Sequence, residues 1–65
     1  MARYRCYYLG ANSKTLVADD IEALSDKDAL VLARRRFEEL PMFPGFELWL
    51  GDRRIHKEAR TREVV

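Results

Sequence analysis

Apolar and charged residues alternate near the start of the chain. Residues 3–9 (RYRCYYL) are rich in aromatic side chains and alternate at their beginning, which is typical of a half-buried β-strand. Residues 10–14 have turn composition, and residues 15–23 (TLVADDIEA) predict a second strand. Together the two strands predict a β-hairpin.

A helical pattern follows and extends to about Leu40. Ser25 is a candidate N-cap, because its hydroxyl can accept a hydrogen bond from a free N–H of the first turn. Pro41 ends the helix, because a residue that precedes proline is pushed out of the α region. Apolar residues at helical spacing predict a buried stripe. The stripe consists of Ala29, Leu30, Ala33, Phe37 and Leu40, with Leu32 at its margin.

A second hairpin is predicted after the helix. Residues 46–50 (FELWL) indicate a third strand, Gly51-Asp52 a two-residue turn, and residues 53–56 a short fourth strand. The predicted fold class is therefore α+β, with a ββαββ order, a four-stranded antiparallel sheet of order 2-1-3-4, and the helix on one face. We expect one domain over residues 1–56 and a frayed or disordered tail over 57–65.

Alternation also predicts which side chains share a face. If Tyr4, Cys6 and Tyr8 face the helix, their predicted partners are Ile21, Asp19 and Val17. The inward acid Asp19 is a misfit, which a bulge or a place near the sheet edge would relieve. The predicted outward pairs are Arg3 with Glu22, Arg5 with Asp20, Tyr7 with Ala18, and Leu9 with Leu16. The two opposite-charge pairs support this register, although each contributes only about 0.2–1 kcal/mol.

The second hairpin is predicted to pair Leu50 with Arg53, Trp49 with Arg54, and Leu48 with Ile55. Phe46, Leu48, Leu50 and Ile55 then share the core face, while Glu47, Trp49, Arg54 and His56 point outward. The face away from the helix therefore carries a candidate interface, since exposed apolar clusters often mark contact surfaces. The candidate interface residues are Tyr7, Leu9, Leu16 and Trp49, and the candidate rim or phosphate contacts are Arg3, Arg5 and Arg54.

Composition indicates one small globular domain. The 65 residues are 48% hydrophobic and 35% charged, and the formal net charge of +1 gives no general attraction to nucleic acid or anionic membrane. The start of the chain is not a basic segment followed by an apolar run, so we expect no secretory signal. No apolar stretch approaches the ~20 residues that cross a bilayer. The single cysteine cannot form an intramolecular disulfide, so we expect a cytoplasmic protein that packing alone stabilises.

Candidate chemistry is sparse. His56 is the only histidine and has no second histidine or nearby cysteine at metal-ligand spacing. Cys6 lies within a predicted strand, so we expect a small buried hydrophobe rather than a nucleophile. The three glycines are isolated turn residues and form no phosphate-binding loop. The sequence thus predicts no catalytic, cofactor or metal site, and no small-molecule substrate is evident.

Three functions therefore stay open. The first is a non-enzymatic interaction module that forms a dimer, or docks another protein, through the open sheet face. The second is a nucleic-acid binder that stacks bases on aromatics and holds phosphates with Arg3, Arg5 and Arg54. Asp20, Glu22 and Glu47 would flank those arginines and largely neutralise them. The third, a small enzyme or enzyme subunit, has no residue constellation to support it.

Two segments carry a resemblance to a family. Residues 4–9 (YRCYYL) and 47–55 (ELWLGDRRI) resemble small uncharacterised bacterial proteins, mainly alphaproteobacterial, with a YRCYFLD-like start and an ELW-GDRR-like end. Leu9-Gly10 stands where that pattern more usually has Leu-Asp. The resemblance extends over about residues 4–56 and implies a cytoplasmic bacterial protein without an assigned activity. It implies no catalytic residues.

Overall fold

The computed structural model describes residues 1–12 and 14–59 as one sheet and one helix. The elements are β1 (Ala2–Leu9), β2 (Thr15–Ala23), α1 (Asp26–Glu38), β3 (Gly45–Leu50) and β4 (Arg53–Ala59). The four strands have the order β2-β1-β3-β4, and every neighbouring pair is antiparallel. Helix α1 packs on one face of this sheet. The predicted α+β fold and its strand order are confirmed.

Helix α1 begins at the predicted cap. The Ser25 hydroxyl accepts a hydrogen bond from the backbone N–H of Asp28 at 3.2 Å. Beyond Glu38, the N–H groups of Glu39 and Leu40 donate to carbonyls three residues earlier, at 3.0 and 3.1 Å. The last turn is thus tighter than an α-helix, and α1 ends shortly before Pro41.

The cap can be tested by replacing Ser25 with alanine. We expect Ser25→Ala to lower the free energy of unfolding by about 1 kcal/mol, because the N–H of Asp28 loses its acceptor. Urea denaturation measures the change, and Ser25→Asp is the control that keeps an acceptor and should retain most of the stability. Equal stabilities for the alanine variant and the parent would show that the cap contributes nothing.

The core lies between α1 and the inner face of the sheet, as predicted. Ala29 and Ala33 are fully buried, so these small side chains let the helix approach the strands closely. Phe37 packs on Phe46 with ring centroids 4.8 Å apart. The sheet contributes seven buried side chains, those of Tyr4, Cys6, Tyr8, Ile21, Ala23, Phe46 and Leu48. Leu30 and Leu40 are partly buried against this cluster, and Leu32 is 37% exposed.

The first hairpin keeps the predicted register only up to Tyr8. The pairs from Arg3–Glu22 to Tyr8–Val17 are confirmed, but Leu9 then lies opposite Thr15. The predicted Leu9–Leu16 pair is wrong, because the loop closes with the N–H of Gly10 donating to the carbonyl of Lys14 at 2.8 Å. That closure leaves Leu16 as the extra residue of a β-bulge.

The second hairpin also contains a bulge. The Trp49–Arg54 and Leu50–Arg53 pairs are confirmed, and Gly51 has the positive φ of 62° that its tight turn requires. Leu48 then pairs with His56, and Ile55 becomes the extra residue. His56 therefore lies on the core side beside Phe46, with ring centroids 6.0 Å apart, and its predicted outward position is wrong.

Strand β4 is longer than predicted. It includes residues 57–59, which the sequence analysis assigned to the tail. Residues 60–65, the remainder of that predicted tail, lie outside the described part of the chain.

The inward acid of β2 is accommodated by the helix. Asp19 forms an ion pair with Arg36 of α1, and its carboxylate also accepts a hydrogen bond from the N–H of Asp20 at 3.0 Å. β2 is an edge strand, so the side chain of Asp19 stays 36% exposed to solvent. The guanidinium of Arg36 therefore compensates the negative charge of Asp19, which strand alternation places on the inner face.

Candidate functional site on the open sheet face

The face of the sheet away from α1, called here the open face, is arranged in rows across the strands. The Trp49 row consists of Asp20, Arg5, Trp49 and Arg54, in the order β2, β1, β3, β4. The Tyr7 row consists of Ala18, Tyr7, Glu47 and Lys57 in the same order. Tyr7 and Trp49 thus occupy adjacent rows on neighbouring strands, and both line one shallow depression of about 350 Å³.

The charges of the open face are sorted by strand. β2 contributes the acids Asp20 and Glu22 to this face, whereas β4 contributes the bases Arg54 and Lys57. Within the chain these groups already form ion pairs. The pairs are Arg3–Glu22 at 3.5 Å, Arg5–Asp20 at 3.2 Å, Arg54–Glu47 at 3.5 Å and Lys57–Glu47 at 3.9 Å.

Glu47 lies at the centre of these contacts. Its side chain is 18% exposed and faces both Arg54 and Lys57. It also accepts a hydrogen bond from the indole N–H of Trp49 at 3.0 Å. The carboxylate therefore holds the indole of Trp49 in one orientation on the open face.

The predicted apolar cluster is smaller in the structure. Tyr7 and Trp49 are both half-buried, but Leu9 is only 5% exposed. Leu9 lies opposite Gly45. The backbone of β4 comes so close to Gly45 that an added Cβ would lie 2.9 Å from the Glu58 carbonyl oxygen. Leu16 is 62% exposed but has left the pairing that would have placed it beside Leu9. Of the four candidate interface residues, only Tyr7 and Trp49 line the depression on the open face.

The buried side of the sheet offers a thiol that is poorly suited to chemistry. Cys6 is fully buried, as predicted, and burial raises the pKa of its thiol to about 11. At neutral pH the thiol is therefore protonated and shielded from reagents. The residues that the structure describes contain no group of three or more side chains placed to hold a metal ion.

His56 takes part in a structural ion-pair cluster. Its Nε2 lies 3.0 Å from Oε1 of Glu58, and the guanidinium of Arg34 donates to the same oxygen at 3.0 Å. Partial burial opposes ionisation of Glu58, but the hydrogen bonds from His56 and Arg34 outweigh it and lower the pKa of this carboxyl. The cluster ties the carboxyl-terminal part of β4 to α1.

A second apolar surface, which was not predicted from the sequence, lies beside α1. Met1, Leu24 and Val31 are 83%, 77% and 51% exposed, and together with Leu32 they line a depression of about 350 Å³ beside α1. We call these four residues the flank. The signal was present in the sequence, because Val31 lies outside the buried helical stripe and Leu24 precedes the cap.

Comparison with protein-family models, with curated proteins and with solved structures finds no match to this chain. The family resemblance of residues 4–56 therefore stays a prediction. Among the described residues, no helix has the length and the apolar character that crossing a membrane requires.

Proposed function

We propose that this protein is a small non-enzymatic interaction module that docks a protein chain on its open face. Tyr7 and Trp49 are the central contacts, and Arg3, Arg5 and Arg54 belong to the rim. The proposal is supported above all by the position of Trp49, whose indole Glu47 orients beside Tyr7. Aromatic residues are enriched in protein interfaces and supply much contact area at low cost in conformational entropy.

The edges of the sheet are less suited to docking than its face. Both edge strands, β2 and β4, carry a bulge, at Leu16 and Ile55 respectively. Both strands also present charged side chains. Bulges and charges are features by which proteins prevent a further strand from pairing with a sheet edge. The open face remains, because α1 covers the opposite one.

The ion pairs also argue against the nucleic-acid alternative. Each candidate phosphate contact has a carboxylate of its own chain within 3.5 Å, which offsets the positive charge that would attract a phosphate. A nucleic-acid binder would bind single-stranded oligonucleotides with an affinity that falls steeply as the salt concentration rises. A protein partner would instead stay bound after nuclease treatment, so the two experiments distinguish the two functions.

The proposal predicts that truncating the central aromatics weakens association. We expect Tyr7→Ala and Trp49→Ala to lower the affinity for the docked protein at least ~10-fold, as for other central aromatic contacts. Native mass spectrometry and sedimentation measure this for the purified chain and for any protein that it retains from cytosol. Circular dichroism verifies that the variants are folded.

Leu24→Ala on the flank is the matched control and should bind normally. Loss of binding in the Leu24 variant, with normal binding by the Trp49 variant, would move the interface to the flank. A parent protein that retains no protein and keeps a water-like Trp49 emission at high concentration would contradict the proposal.

A further inference from the structure

We infer that the docked protein is a second copy of this chain, packed face to face about a two-fold axis that is parallel to the strands and passes between β1 and β3. This inference rests on the proposed use of the open face and adds the partner and its orientation. Its basis is the arrangement of charge on that face, with acids on β2 and bases on β4.

Rotation about such an axis exchanges the two edges of the sheet, but each row keeps its position along the strand direction. β2 of one copy then lies over β4 of the other, and β1 lies over β3. In the Trp49 row, Asp20 faces Arg54 of the second copy, and Arg5 faces Trp49 of the second copy. In the Tyr7 row, Tyr7 faces Glu47 of the second copy. Every one of these contacts occurs twice.

The side chains are able to make these contacts without giving up their own pairs. Arg5 and Arg54 are 54% and 49% exposed, and a guanidinium has five N–H donors, of which the intrachain pairs use few. Arg5 over an indole is a cation–π contact, and Asp20 opposite Arg54 is an ion pair. The hydroxyl of Tyr7 can donate to the carboxylate of Glu47.

The alternative two-fold axis, perpendicular to the strands, gives the opposite electrostatics. It places β2 over β2 and β4 over β4, so the strand that carries the acids Asp20 and Glu22 lies over the same acidic strand of the second copy. The strand that carries the bases Arg54 and Lys57 likewise lies over the same basic strand. Like charges brought together across an interface are unfavourable, so the charge pattern selects the axis that is parallel to the strands.

The expected dimer is weak. Four strands spaced ~4.8 Å apart, in contact over about five residues each, give a flat footprint of about 320 Å² per copy. Standard interfaces bury about 800 Å² per partner, and smaller ones are characteristic of transient association. Packed sheets also cross at about 30°, so the contacts concentrate in the Trp49 and Tyr7 rows near the axis. The dimer should therefore form only at high micromolar concentration.

Charge reversal tests the orientation directly. Asp20→Arg places like charges at both contacts of a homodimer, and so does Arg54→Asp, so we expect each variant to dimerise at least ~10-fold more weakly than the parent. A one-to-one mixture of the two variants restores both contacts and should form heterodimers. The double variant should form homodimers again. Sedimentation equilibrium and native mass spectrometry resolve all of these species.

Matched controls change the same charges on the exposed side of α1. Glu38→Arg and Arg35→Asp should dimerise as the parent does, and their mixture should show no preference for heterodimers.

A parent that stays monomeric to millimolar concentration overturns this inference, while the aromatic variants still test docking of another protein. A dimer that Trp49→Ala dissociates, but in which the charge variants do not recombine, uses the open face in another orientation and also overturns it. A dimer lost only on substitution of Leu24 overturns the inference and the proposed function together.

Discussion

Replacing Phe46 by alanine is expected to remove a large part of the chain's free energy of unfolding. Phe46 is fully buried between the ring of Phe37, at 4.8 Å, and the ring of His56, at 6.0 Å. Removing a buried phenyl ring costs about 3–5 kcal/mol, because the transfer free energy is lost and a cavity remains. A chain of 65 residues has only about 3–10 kcal/mol of stability in total. Urea denaturation followed by circular dichroism measures the loss.

The control for this experiment is an aromatic residue on the opposite face of the same strand. Trp49→Ala removes a larger ring from a half-buried position, and we expect it to cost clearly less than Phe46→Ala. Phe46→Leu, which fills part of the cavity, should be intermediate. If Trp49→Ala proved the more destabilising change, the main core would lie on the open face and the assignment of the two faces would be reversed.

The free energy of unfolding is expected to fall as the pH rises from about 9 to about 11. Burial raises the pKa of the Cys6 thiol from its ordinary value of 9.0 to about 11. In this window the unfolded thiol loses its proton while the native thiol keeps it, so ionisation favours the unfolded state. At about 1.4 kcal/mol per pKa unit, the free energy of unfolding should fall by about 2–3 kcal/mol by pH 11. Urea denaturation at intervals between pH 8 and pH 11 measures it.

A second buried group changes stability in the same direction. Burial also raises the pKa of Tyr8 above its ordinary value of 10.0, so ionisation of this hydroxyl also favours the unfolded state. Cys6→Ala is the control: it should lower stability at pH 8 but make the decline between pH 9 and pH 11 shallower. An identical decline in this variant would assign the pH dependence to other groups.

Burial of Cys6 also predicts that its alkylation at pH 8 is slow until urea unfolds the chain.

The candidate site was predicted correctly only in part. Alternation in β1 and β3 placed Tyr7 and Trp49 on the same face, because side chains in a strand alternate with a period of two. The hydrogen bond from Trp49 to Glu47 was not predicted, although both residues were assigned to that face. The flank was also missed. Its sequence signal, Val31 outside the buried stripe and Leu24 before the cap, does not show that the two side chains meet, because that depends on how the cap joins the sheet.

Local patterns in the amino-acid sequence were sufficient for the elements, their order and the two faces of the sheet. Ser25 and Pro41 mark the limits of α1 through backbone chemistry that acts within a few residues, and alternation assigns each strand residue to a side. The bulges at Leu16 and Ile55 required the folded molecule, since they depend on where each hairpin closes and on what the core can accommodate. Each bulge shifts the pairing by one residue. The inward position of His56 and the separation of Leu16 from Leu9 are therefore properties of the assembled sheet.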